Sequence, residues 1–258
     1  MIKMALHQFR YDLRAFSRNG QARFFTLVLP VLFLVIFASL FGGRHHTTAV
    51  AGGRIATSAY YVPGIIALGI IGAAFGNLIA SVTAQRERGV LKRRRATPVP
   101  AGAIIAGRTL TSVVIALVMT VVLLGIGWAA YGARVPGRTA AALGVTVVLG
   151  AAAFCCLGYG LASLITNEDA AAPVTQAIQL PLYFVSGVFV AVSILPRWLV
   201  DVGNAFPVKH LADALLVAFN PHTSGLGFAG QDLLIVAGWG VVGLIVALLR
   251  FSWLPIGR

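Results

Sequence analysis

The sequence predicts an all-α integral membrane fold: six transmembrane helices, an amphipathic interfacial helix at the N-terminus, and a short re-entrant helix pair on the outer side before the last span. Three observations predict it. Six long apolar runs cover Phe24–Phe41, Ala59–Val82, Leu110–Tyr131, Thr139–Ile165, Ala170–Leu195 and Leu233–Trp253. Each approaches or exceeds the roughly 20 helical residues that cross a hydrocarbon core of about 30 Å. None carries Lys, Arg, Asp or Glu near its middle. The loop charges then orient the chain. With the N-terminus inside, only 6 basic residues lie outside: Arg44, Arg54, Arg134, Arg138, Arg197 and Lys209. The other 14 of the 20 are cytoplasmic. Loops this short obey the positive-inside rule, so both termini are expected in the cytoplasm. The opposite orientation would put the Lys92–Arg95 block outside.

Composition leaves little room for anything besides membrane helices: 258 residues, 59% hydrophobic and 10% charged. The net charge of +13 does not point to nucleic acid, because the basic residues flank spans and face the anionic inner leaflet. Membrane lipid is the expected contact and no nucleic acid partner is expected. The basic stretch ahead of the first run does not read as a cleavable signal. Cys155 and Cys156, adjacent in the fourth run, read as buried thiols rather than a disulfide or metal site. His45 and His46 have no third metal ligand nearby in the sequence.

Along the chain, residues 2–20 form the interfacial helix. Ile2, Leu6, Phe9, Leu13 and Phe16 make an apolar stripe, and Lys3, His7, Arg10, Arg14 and Arg18 a basic one. It serves as an anchor on anionic lipid or as an elbow that also touches a cytoplasmic partner. The loop Gly42–Ser58 is expected to be irregular. The cytoplasmic segment 84–103 embeds Val90 and Leu91 among charges, and Thr97-Pro98 suits a helix N-cap followed by a first-position proline. A short helix followed by a fresh start into the third run makes a rigid projection; a lipid anchor is the other reading. Gly132–Arg138 is a tight Gly/Pro turn. In Thr166–Asp169, Glu168 and Asp169 favour the N-terminus of the fifth helix through its dipole, or meet a partner. Residues 196–230 are cut by Pro196, Pro207 and Pro221 into two short helices at the outer interface, with Lys209 and Asp213 spaced to pair across one turn.

The chain has no GxxxxGK[ST] phosphate loop, no HExxH and no CxxC. No catalytic, cofactor-binding or metal-binding residues are therefore expected on it. Without ionisable groups at membrane depth it is also a poor proton- or ion-coupled carrier. Energy for any transport would enter from a separate cytoplasmic protein.

The stretch from Arg86 to Arg108, opening "RERGVLKRRRATPVP", resembles the cytoplasmic signature of type-2 ABC transporter permeases. "FVSGVFVAVSILPRWL" at Phe184–Leu199 and "FPVKHLADAL" at Phe206–Leu215 resemble the fifth helix and outer re-entrant pair of that family. The family includes exporters of the daunorubicin-resistance kind and exporters of lipids and polysaccharides. Lys209 and His210 stand where the family carries a small hydroxyl residue and often an aromatic. The resemblance implies a permease in a bacterial cytoplasmic membrane, paired with an identical or homologous permease. Each permease would dock one ATPase subunit, two per complex, with ATP and Mg²⁺ on the ATPase and no cofactor here. Arg86, Glu87, Arg88, Gly89 and Leu91 would form the ATPase-coupling surface together with the N-terminal helix. Glu87 and Arg88 would make charged contacts and Gly89 permit the turn.

For the substrate path, Gln176, Gln179, Tyr183 and Ser186 recur at spacings of three, four and three and read as one inward face of the fifth helix, with Asn77 and Ser81 on the second. They line a cavity or supply interhelical hydrogen bonds. Gly72 and Gly76 form a GxxxG spacing that reads as close helix packing. With no buried charge to grip an ion, the cargo is expected to be amphiphilic. An ATP-independent channel or carrier, and a structural membrane subunit, are the alternative functions.

Overall fold

The structure is a computed structural model that describes residues 2–41, 46–95 and 101–250. Helix α1 spans Ile2–Arg18, and a turn at Gly20–Arg23 leads into α2, Phe24–Phe41, which opens with a π-helical turn at Phe24–Val28. The loop after α2 is not irregular throughout its described residues. Strands β1, Thr47–Val50, and β2, Gly53–Ala56, pair antiparallel around Ala51-Gly52. The β-branched Thr47, Thr48, Val50 and Ile55 favour extended backbone, and Gly52 at φ +83° allows the tight reversal. The hairpin rests on the segment 196–230, where Asn220 Nδ2 donates to the Ala51 carbonyl at 2.8 Å.

Helix α3 is Thr57–Glu87, broken in register by a π-turn at Gly72–Gly76. Then follow α4, Val90–Arg95; α5, Ala101–Tyr131; α6, Ala140–Leu164; α7, Glu168–Val185; α8, Arg197–Asn204; α9, Pro207–Phe219; and α10, Gly230–Arg250. The Thr97-Pro98 start signal and Trp253 lie outside the described residues. Among those described, five helices are long and apolar enough to cross a membrane: Phe24–Phe41, Thr57–Glu87, Gly102–Tyr131, Ala140–Leu164 and Gly230–Arg250. The fifth apolar run is the exception. Its helix ends at Val185 instead of continuing to Leu195. Gly187 takes φ +83° and its carbonyl accepts from the Tyr60 hydroxyl at 3.4 Å, and a 3-10 turn follows at Val192–Ile194. The 18 residues of α7 span about 27 Å at 1.5 Å per residue and carry Glu168, Asp169, Thr175, Gln176 and Gln179.

Helix α3 is the most buried of these five and forms the axis of the bundle. Ile65, Ile66, Ile70, Ile71, Leu78 and Ile79 are all essentially inaccessible. Of the Gly72–Gly76 pair, only Gly76 packs one helix against another, with a Cβ there falling 3.5 Å from Gln179 of α7. A Cβ at Gly72 meets nothing within 4 Å. A closer helix contact lies elsewhere, between α6 and α10. A Cβ at Gly160 would sit 2.8 Å from the Gly243 carbonyl oxygen, and one at Gly243 2.6 Å from the Leu157 backbone nitrogen. Cys155 and Cys156 are free thiols.

Helix α1 has three faces rather than two. Lys3, His7, Arg10, Arg14 and Arg18 are exposed, and Phe9, Leu13 and Phe16 are half-buried. The third face, Ala5, Gln8 and Asp12, docks on the N-terminal end of α5, which begins at Ala101 and so projects past the apolar run. A Cβ at Gly107 would fall 2.8 Å from Gln8 Cβ and 2.9 Å from the Ala5 oxygen, so glycine permits this crossing. The buried Asp12 carboxylate accepts from Gln8 Nε2 at 2.9 Å and pairs with Arg108 at 3.6 Å.

At the opposite end of α3, the two short helices expected in 196–230 are present as α8 and α9. Lys209 Nζ meets Asp213 Oδ2 at 2.5 Å. Burial pushes the Asp213 carboxyl up, and the Lys209 ammonium opposes that shift. His210 Nε2 donates to the Asn204 carbonyl at 2.9 Å while Nδ1 faces Asp232 Oδ1 at 2.7 Å, tying α9 to α8 and to the start of α10. These partners explain how a Lys and a His are buried where the resembling family carries other residues.

The two ends of α3 yield a topology prediction. In a background lacking Cys155 and Cys156, single cysteines at the exposed positions Arg54 and Ser224 should react with an impermeant thiol reagent in intact cells, and one at Lys92 should not. Labelling at Lys92 with silence at the other two reverses the orientation.

Candidate functional site

At the C-terminal end of α3 the charges of Arg86-Glu87-Arg88 alternate, and each finds a different partner. Arg86 is 2% exposed. Its Nη1 donates to the Ala162 carbonyl at 2.9 Å and its Nη2 to that of Ile165. These carbonyls belong to the last turn of α6 and to the residue that ends it, where no further helical N–H is available and the helix dipole is negative. Glu87 reaches the neighbouring helix end: its Oε2 accepts from the backbone N–H of Glu168 at 2.6 Å, at the positive end of α7. Arg88 pairs with the Glu168 carboxylate at 2.8 Å, with side chains 70% and 36% exposed. Asn167 completes the α7 N-cap, accepting from the Ala170 N–H at 2.8 Å.

Gly89 has φ +69° with nothing within 4 Å of a Cβ, so backbone conformation rather than space requires glycine there. It turns the chain into α4, whose Leu91 is buried and whose Lys92 and Arg93 are exposed. Of the five coupling residues read from the sequence, Arg86 and Leu91 are therefore inside the fold, and Glu87 and Arg88 hold α7. The sequence reading missed Ala162, Ile165 and Glu168 as their partners. The alternation of sign at the end of an apolar run was the available signal, since two helix ends of opposite polarity recruit opposite charges.

The substrate-path residues do not share one face. Gln176 is exposed, whereas Gln179 and Tyr183 are 6% and 5% exposed. Gln179 lies against Gly76, 3.5 Å from where its Cβ would be. Its Nε2, together with Thr175 Oγ1 and Ser186 Oγ, has no hydrogen-bond partner despite burial. Tyr183 joins a ring cluster, with Phe189 at 5.5 Å, and Phe189 stacks on Phe37 at 5.3 Å. Asn77 faces α2, where Nδ2 donates to Thr26 Oγ1 at 2.6 Å, and Ser81 Oγ accepts from Gln85. The inward face of α7 is thus Thr175, Gln179, Tyr183 and Ser186, one residue off the predicted stripe at its N-terminal end. It presents neutral polar atoms and aromatic rings, with no carboxylate or ammonium.

Comparison with known proteins gives two findings. The family model described as ABC-2 type transporter matches residues 8–220. The Daunorubicin resistance ABC transporter permease protein DrrB1 of Streptomyces coeruleorubidus is 27% identical over 216 residues, covering 82% of this chain and 73% of that protein.

Proposed function

Because the chain belongs to the ABC-2 type transporter family, we propose that this transport permease is the membrane subunit of an ATP-driven exporter in a bacterial cytoplasmic membrane. Two permeases, identical or homologous, pair and dock two ATPase subunits. Helix α7 completes a six-span bundle with both termini cytoplasmic. The α3–α4 corner, with Gly89 at its turn and Lys92 and Arg93 on its exposed side, faces the ATPase, and ATP with Mg²⁺ belongs to that partner. The observation that carries the reading is a corner clamped into two further helices by Arg86 and Glu87. Movement imposed there cannot remain local. The cargo is amphiphilic: a drug, lipid or glycolipid held by apolar contact and neutral hydrogen bonds.

Purification of the tagged chain from its native membrane in mild detergent tests this. An ATPase subunit should copurify, with vanadate-sensitive hydrolysis. A chain recovered without any ATP-hydrolysing partner would instead be a channel, carrier or structural subunit.

The α7 face carries a second prediction. Gln179→Ala removes a buried donor that has no partner to lose, so stability and complex recovery should stay near those of the parent. Substrate-stimulated ATP hydrolysis should change about 2- to 10-fold, and differently among amphiphilic substrates, as expected for the loss of one neutral hydrogen bond. An equal fall for every substrate together with a lower melting temperature would reduce Gln179 to helix packing.

A further inference from the structure

We infer that the first turn of α7 is the direct receiver of motion at the α3–α4 corner, with Glu168 as its positioning residue, so that an ATPase stroke reaches the substrate-facing helix without passing through the bundle core. This deepens the coupling role proposed above and rests on it.

The corner is divided at Gly89. On one side α4 exposes Lys92 and Arg93; on the other Arg86, Glu87 and Arg88 are committed to the fold. The commitments differ in kind. Arg86 is buried and fixed on the C-terminal carbonyls of α6, a helix packed tightly along α10. Glu87 and Arg88 hold the start of α7 from the surface, through one backbone N–H and one carboxylate. An ion pair this exposed adds little to stability. Its value is directional, because it fixes which helix follows the corner when the corner moves.

Helix α7 is also built to move along its contact with α3. Pro173 and Pro181 remove two of its internal N–H donors. The side-chain atoms it buries toward α3, Thr175 Oγ1 and Gln179 Nε2, form no hydrogen bond that sliding would break. Opposite Gln179, α3 presents Gly76 at the end of a π-turn, so no side chain there blocks a shift. Past Val185 the helix gives way to a glycine with φ +83°, and the Val185 carbonyl rests against Gly203 of α8, which makes this end the pivot. A short helix tied to the corner at one end and packed at the other acts as a lever.

The test uses the full chain with its ATPase in proteoliposomes, with Cys155 and Cys156 replaced by Ala and a single cysteine at exposed Gln176. Trapping with ATP and orthovanadate should change the maleimide labelling rate at this position about fivefold, the low end of a coupling between distinct sites. Arg88→Glu and Glu168→Arg should each abolish that change, Glu168→Arg with the ATPase still bound and active. The double variant Arg88→Glu/Glu168→Arg should restore it. Glu168→Arg sets a cation on a helix N-terminus, so Glu168→Gln serves as a second variant if the reversal fails to fold, and it too should abolish the response. A trapped-state change that persists in the single variants, or is not rescued in the double, overturns the inference and leaves the exporter reading intact. A parent chain that retains no ATPase overturns both.

Discussion

Arg86→Ala should lower stability by about 3–5 kcal/mol, the cost typical of breaking a buried charged hydrogen-bond network. The guanidinium is almost inaccessible and serves carbonyls of Ala162 and Ile165 that have no other helical donor. Truncation leaves those acceptors unpaired and opens a void between α3 and α6. Arg86→Lys should be intermediate, because one ammonium cannot reproduce the planar fork that reaches two oxygens at once. Thermal unfolding in detergent should rank parent, Lys and Ala in that order. Amide exchange should rise in the last turn of α6 and the first of α7. A melting temperature for Arg86→Ala within about 2 °C of the parent, against the several degrees such a loss implies, would mean that water replaces the guanidinium and that Arg86 is dispensable to the fold.

Gly243→Ala is the second large effect, and here propensity and packing predict opposite signs. Alanine in a helix is ordinarily favoured over glycine by about 1 kcal/mol. A Cβ at Gly243, however, would sit 2.6 Å from both the Leu157 nitrogen and its Cα. That obstacle is backbone and cannot rotate away. The α6–α10 interface must separate, with an overpacking penalty of about 1–3 kcal/mol, and Gly243→Leu should not give a folded monodisperse protein. Gly238 on the same helix provides the control. It is exposed with nothing within 4 Å of a Cβ, so Gly238→Ala should be neutral or mildly stabilising. Equal responses of the two variants in thermal unfolding would show that α6 and α10 are not in contact.

The sequence by itself determined what depends on neighbours along the chain. The apolar runs located α2, α3, α5, α6 and α10, because helical length and hydropathy are local properties. The three- and four-residue spacings of Phe9, Leu13 and Phe16 placed α1, and Pro196 and Pro207 marked the starts of α8 and α9. The Lys209–Asp213 pair was legible because it closes within a single helical turn. The tertiary structure alone decided everything that depends on what lies across the bundle. Arg86 and Glu87 meet their partners 76 to 81 residues away, and no periodicity encodes which of several exposed-looking charges will be buried. The tightest glycine contact is Gly160 and Gly243 between α6 and α10, while Gly72 of the Gly72–Gly76 pair meets nothing, because spacing within one helix does not show which neighbour faces it. The end of α7 at Val185 is set by Gly187 and the Tyr60 hydroxyl from another helix, and its polar face by the π-turn of α3 against it. Residue type and spacing tell which groups need a partner; only packing brings two helix ends of opposite polarity to the same corner and decides which charge each receives.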